Sequence, residues 1–243
     1  MTAARTKTHH RSPANGRARW RISSAVEAPY RGTVRNWRAG ALGLREGFRP
    51  VADLVEAGGV LHAWSPHLLP APADWPAQAH PTGFWTMPTG DWTPPERLAR
   101  FLDDGDPPIY VGFGSSYSGT PEALTSMVLE AIRLTGHRAV LATGWGALRP
   151  GTEPGGVLVI EEAPHEWLLP RVAIAVHHGG IGTVAAALGA GVPQVVRPFL
   201  GDQPFWAQRL HHLGVAPAPV SGRLTPGRLA AAIEAATEQG RRP

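Results

Sequence analysis

The segment from Ala163 to Gln203, APHEWLLPRVAIAVHHGGIGTVAAALGAGVPQVVRPFLGDQ, gathers two adjacent histidines, a glycine cluster and an acid–amide pair. The β-branched run Val172 to Val176 suits a buried strand, and the Ala- and Leu-rich run Val184 to Leu188 suits a helix. A strand that turns through glycines into a helix brings bare backbone N–H groups and the positive end of the helix dipole to one point, where phosphates bind. Within that turn lie His177, His178, Gly179, Gly180, Ile181, Gly182 and Thr183, and together they suggest an anion cradle. A second strand, Gln194 to Val196, leads to Asp202 and Gln203. Neighbouring strands of an open parallel sheet share one crevice at their carboxyl ends. A phosphate cradle beside groups that accept and donate hydrogen bonds to hydroxyls suits a nucleotide sugar.

Two rival chemistries compete for the same residues. Gly180-x-Gly182-x-x-Ala185 fits the loose dinucleotide fingerprint, with Asp202 twenty residues beyond Gly182 as an NAD ribose ligand would be. That acid belongs to a Gly-Asp-Gln-Pro turn, however, and the fingerprint comes late in the chain, so an NAD-binding oxidoreductase domain stands behind the sugar-nucleotide reading. His178-Gly179-Gly180 is also compatible with an esterase oxyanion loop, but no Gly-x-Ser-x-Gly elbow occurs in the chain. Asp202 before Pro204 would equally serve as a helix N-cap, and His177 is expected to face the core or a domain interface.

The elements that must position these residues follow a regular βα alternation from Pro107 onward. Ile109 to Val111, Ala139 to Ala142, Val157 to Ile160, Val172 to Val176, Gln194 to Val196 and Val215 to Ala218 read as strands. Pro121 to Leu134, Trp206 to Leu213 and Thr225 to Ala236 read as helices. Strands alternating with helices predict an α/β fold, a Rossmann-like doubly wound parallel sheet, over residues 107–243. Before it, residues 1–33 form a basic tail without periodicity, expected to be disordered. Residues 34–106 comprise a partly helical stretch, a short strand at Val60 to Trp64 and a Pro- and Trp-rich connector from Ser65 to Pro95.

Composition narrows the classes. The 243 residues contain no cysteine, which excludes disulfides and thiolate metal sites and fits a cytoplasmic protein. The formal charge of +4 is local: 11 of the 23 Lys and Arg lie in residues 1–49, against Glu27 and Glu46 alone, and Lys7 is the only lysine. A basic tail of this kind is ordinarily solvated, so no nucleic-acid partner is expected. The long uncharged run Val172 to Val196 contains two histidines, several glycines and Pro193, so it reads as α/β core and no transmembrane segment is expected. His9 and His10 sit in the tail, and no metal site is expected.

The segments PHEWLLP, HHGGIGT, GAGVP and PFLGDQPFW occur in the order, and close to the spacing, of the nucleotide-sugar-dependent glycosyltransferases with two Rossmann-like domains. The chain resembles that superfamily, and its bacterial natural-product and sterol glucosyltransferase branch above all, from about Val34 to about Ala235. The resemblance implies the C-terminal, donor-binding half of the two-domain fold over residues 107–243, with residues 34–106 as a remnant of the acceptor domain plus the interdomain linker and the N-terminal domain largely missing. It places His178, Gly180, Gly182, Thr183 and Ser115 at the donor phosphates, Pro164 and His165 at the nucleobase, and Asp202 with Gln203 at the sugar. Gly144 and Trp145 match a family Gly-Trp. Glu162 stands where plant relatives carry a stacking tryptophan. The implied reaction is an inverting, metal-independent transfer of a hexose from a UDP- or TDP-sugar to a small-molecule or lipid acceptor, without a cofactor. Its general base is expected on the N-terminal domain, so the lone chain is expected to be inactive unless a separate acceptor-domain polypeptide or a longer form of the gene supplies it. A non-enzymatic nucleotide-sugar-binding relic is the alternative.

Overall fold

The computed structural model of the chain describes residues 27–44 and 58–240, apart from 74, 76, 87, 116–118, 145 and 152. The chain divides into two compact units, residues 1–83 and 84–243. Of the tail expected over residues 1–33, residues 1–26, with His9 and His10, lie outside the described residues, as does Trp145, whereas its last residues are ordered, because the 3-10 turn Ala28–Tyr30 and the helix from Arg31 begin within it.

In the first unit, a 3-10 turn at Ala28–Tyr30 leads into helix α1, Arg31–Leu42, which Gly43 ends in a left-handed conformation at φ +65°. None of its residues is buried. Strands β1, Val60–His62, and β2, Ala79–Pro81, pair in parallel. Strand β1 falls within the strand expected at Val60 to Trp64, whereas β2 lies in the Ser65 to Pro95 stretch expected to be irregular; Trp75 of that stretch packs back on β1, with the His62 ring 4.5 Å from it and 4.2 Å from Trp64. Pro81 is tolerated because it closes a short edge strand.

The second unit opens with helix α2, Glu96–Asp103, which the sequence reading did not anticipate. Then come β3 (Ile109–Gly112), α3 (Pro121–Thr135), β4 (Ala139–Ala142), β5 (Val157–Ile160), α4 (His165–Leu168), β6 (Ile174–His177), α5 (Ile181–Gly189), β7 (Gln194–Val196), α6 (Gln203–His212) and α7 (Pro226–Gly240). The five strands β3 to β7 form one parallel sheet in the order β5-β4-β3-β6-β7. This is the doubly wound arrangement, with the winding reversing between β3 and β6.

Both faces of the sheet are covered, which is why its strands are apolar throughout rather than alternating. Ile109, Val111, Ala139, Leu141, Ile174, Val176 and Val195 pack with Leu124 and Val128 of α3 and Leu229 and Ile233 of α7. The alternate residues Tyr110, Val140, Leu158 and Ala175 pack with Leu98 of α2, Leu168 of α4 and Ala187 of α5. The expected strand at Val215 to Ala218 is absent. Pro217 and Pro219 lack the N–H groups a ladder needs, and only Val220 bonds back to the sheet, donating its N–H to the Val196 carbonyl at 2.9 Å.

Candidate functional site

At the carboxyl ends of β3 and β6, on the winding reversal, Gly112 lies in register with His177. A cavity of about 240 Å³ opens there, walled by the ends of β3, β4 and β5, by His165 and by His178 and Thr183. In open α/β sheets this crevice is where ligands bind.

His178 projects into it from the turn between β6 and α5. A Cβ on Gly180 would fall 2.5 Å from its Nε2, and one on Gly114 would fall 3.6 Å from its Cε1. Gly180 is therefore glycine because the imidazole occupies the space any side chain would need. The ring's Nδ1 is buried without a hydrogen bond of normal geometry. Burial holds His178 below the ordinary histidine range, the Gly112 main chain and Asp202 pull the other way, and His165 adds to the depression.

Helix α5 begins with Gly180 as N-cap and no side-chain cap, so no side chain of its own satisfies its first N–H groups. An anion placed there meets these donors and the helix dipole together. Gly182 is exposed, with open space where its Cβ would be, and half-buried Thr183 lines the cavity. Gly179 is constrained twice. Its φ is +92°, and a Cβ would fall 2.8 Å from Val196 Cγ1.

His177, by contrast, is fully buried. Its Nε2 lies 2.9 Å from Gln194 Oε1, and its Nδ1 accepts the Gly179 N–H at 3.1 Å. Burial pushes it down to about 3, so it stays neutral. It faces the core, one of the two placements expected of it.

Pro164 is the N-cap of the four-residue helix α4, and His165 is its first residue. The His165 ring lies edge-on to Tyr110 at 5.5 Å, with its Nε2 3.1 Å from the tyrosine hydroxyl. Tyr110 was not singled out from the sequence. The signal was there: a polar tip inside an otherwise apolar strand, two residues before a glycine. A Cβ on Gly112 would collide with the Tyr110 hydroxyl, so the tyrosine reaches the cavity over that glycine. Burial raises Tyr110 to about 12 and lowers His165, keeping both neutral near pH 7.

Asp202 and Gln203 open α6 but lie outside the walls of this cavity. Asp202 occupies the N-cap position without making a cap bond; its exposed carboxylate accepts the Trp206 indole N–H at 2.8 Å. Gln203 is 5% exposed, and its Oε1 accepts the N–H groups of Phe199 at 2.8 Å and Leu200 at 3.1 Å. The Phe199 ring meets Phe113 edge-on at 5.5 Å, joining this turn to the one after β3. Ser115 is exposed immediately after Gly114 and does not wall the cavity. Glu161 and Glu162 do, at its rim.

The glycine turn follows the fourth strand of the sheet, β6, whereas a dinucleotide fingerprint belongs to the first βα turn. Among the described residues no group of three or more His, Asp or Glu is placed to hold a metal ion, and no helix is long and apolar enough to cross a membrane.

Residues 142–242 match the family described as erythromycin biosynthesis protein CIII-like, C-terminal domain. The sterol 3-beta-glucosyltransferase UGT80A2 of Arabidopsis thaliana is 44% identical over 161 residues, covering 65% of this chain and 25% of the relative. A sterol 3-beta-glucosyltransferase of Neosartorya fischeri is 39% identical over 199 residues, covering 76% of this chain and 14% of the relative. The chain thus spans a quarter or less of these relatives' length. Among solved structures, the glycotransferase of kitacinnamycin superposes with a TM-score of 0.66 at 24% identity, covering 96% of this chain and 60% of that one.

Proposed function

Because the chain belongs to the glycosyltransferases with two Rossmann-like domains and corresponds to their C-terminal half, we propose that it binds the nucleotide-sugar donor, a UDP- or TDP-hexose, for transfer to a small-molecule or lipid acceptor. The observation that carries this reading is the uncapped start of α5 facing the same cavity as His178, whose ring is bracketed by Gly180 and Gly114. A glycine-lined recess with amide donors and an imidazole suits a diphosphate.

In this reading His178, the amides from Gly180 to Gly182 and the Thr183 hydroxyl take the phosphates, with Ser115 closing over them from the β3 turn. Pro164 and His165 present the base-binding edge. Asp202 and the amide nitrogen of Gln203 address sugar hydroxyls. An acceptor hydroxyl attacks the anomeric carbon and gives its proton to a base on an acceptor domain, which is either part of a longer protein or a separate polypeptide. The bond from that carbon to the phosphate oxygen breaks, and the diphosphate leaves with the electron pair on the opposite face, inverting the centre. Preorganised donors stabilise that developing charge, and the reading assigns no metal or cofactor to the step. The absence of cysteine supports a cytoplasmic setting.

Calorimetry with UDP, TDP and NAD tests the proposal. The chain should bind one or both pyrimidine diphosphates more tightly than NAD. His178→Ala should weaken that binding about 10- to 100-fold, the loss of one charge-assisted hydrogen bond. NAD binding without a response to either diphosphate would overturn the reading.

A further inference from the structure

The pair buried behind the glycine turn takes no part in the ligand contacts just described. We infer that His177, oriented by Gln194, is the positioning residue of the anion turn, holding the Gly179 amide inward so that His178 and the start of α5 face the cavity. This inference rests on the donor-binding reading above.

The hydrogen-bond chain admits one assignment. A backbone amide can only donate, so the Gly179 N–H, 3.1 Å from Nδ1, requires that nitrogen to carry a lone pair. The ring proton is therefore on Nε2, and the group 2.9 Å away must be the Gln194 oxygen. Gln194 then points its amide nitrogen into the core, where it is buried without a partner. An unmade buried donor destabilises a fold, and an apolar pair of similar volume would avoid it. What the polar pair provides is direction for Gly179. On the other side of that residue, Val196 Cγ1 and the Gln203 main chain stand 2.8 Å and 3.3 Å from where a Cβ would be. Held between the imidazole and this wall, Gly179 keeps its left-handed conformation and the chain reverses into α5. Parallel pairing of β6 with β7 sets His177 and Gln194 on one face of the sheet, diagonal to each other.

The test uses the full chain with UDP and inorganic pyrophosphate as probes in calorimetry, and 15N NMR of the histidine rings. His177→Leu removes the acceptor and should weaken both probes at least about tenfold. His177→Asn places a side-chain oxygen near the position of Nδ1 and should restore most of that loss. Gln194→Met keeps the volume but frees the tautomer, so the His177 spectrum should change from the pure Nε2–H form to a mixture while UDP binding weakens. A His177→Leu protein with native near-UV circular dichroism and undiminished UDP affinity would overturn the inference, as would an Nδ1–H tautomer in the unsubstituted protein. Should the leucine variant fail to fold, Gln194→Met decides by the same two readouts. If the unsubstituted protein binds neither UDP nor pyrophosphate, the donor reading falls, and the tautomer and the Gly179 amide exchange rate alone judge the role of His177.

Discussion

The turns after β6 and after β7 share a division of labour between two adjacent polar residues. In each, one side chain is buried and holds backbone N–H groups, while its neighbour is turned outward. After β6, buried His177 accepts the Gly179 N–H and His178 looks into the cavity. After β7, buried Gln203 accepts the Phe199 and Leu200 N–H groups and Asp202 is exposed. The difference lies in where the brace sits: at the end of the strand entering the first turn, and at the start of the helix leaving the second. Strand pleat decides the first and helix phase the second, so residue type alone does not tell which member of such a pair is buried as the brace.

The two braces also differ in that one titrates. His177 has an ordinary value of 6.5 and a folded value of about 3, so the unfolded chain binds the additional proton between those limits. Its neutral form contributes stability that is fully present above pH 6.5 and is lost as pH falls towards 3, on the order of 5 kcal/mol in total. Urea midpoints followed from pH 7 to pH 3.5 should therefore fall more steeply in the unsubstituted protein than in His177→Asn. Equal slopes would mean that the imidazole is not the acid-sensitive brace.

Glycines sharpen the contrast within the first turn. Gly179→Ala sets a Cβ against Val196 in a left-handed conformation and should cost about 2–4 kcal/mol in chemical denaturation. Gly182→Ala meets open space and should change stability by less than about 0.5 kcal/mol. Similar costs at the two positions would remove the case for Gly179 as the constrained point.

In the second turn, Gln203→Leu leaves two backbone donors without their acceptor and should cost about 1–3 kcal/mol. Asp202→Asn keeps an oxygen for the half-buried bond from the Trp206 indole and removes the charge that acts on His178; it should cost less than about 1 kcal/mol, while weakening a UDP-hexose more than UDP itself. If Asn at 202 unfolds the protein more readily than Leu at 203, the assignment of brace and reach in that turn is reversed.

The doubly wound sheet was legible because its strands are short β-branched runs between glycine and proline breaks, as in Val157 to Ile160 and Gln194 to Val196. Helix α2 was not, since only Leu98 of its eight residues is fully buried and two prolines precede it. The Val215 strand was misread because apolar content outweighed Pro217 and Pro219. At the site, the glycine turn after β6 stood out by spacing. Tyr110 did not, because its meeting with His165 depends on residues 55 apart. Nor did the accepting role of the Gln203 oxygen, which depends on how tightly the chain folds back from Phe199.

The pairing of β3 with β6 brings together Ile109 and Ile174, sixty-five residues apart, whereas β4 reaches β3 after one helix. Closing the longer loop costs more chain entropy and belongs to the slow part of assembling such a sheet. The cavity lies on that seam. A nascent or refolding chain can therefore hold β3, β4 and β5 together before it has any anion site, and recovery of diphosphate binding during refolding reports completion of the sheet rather than its nucleation.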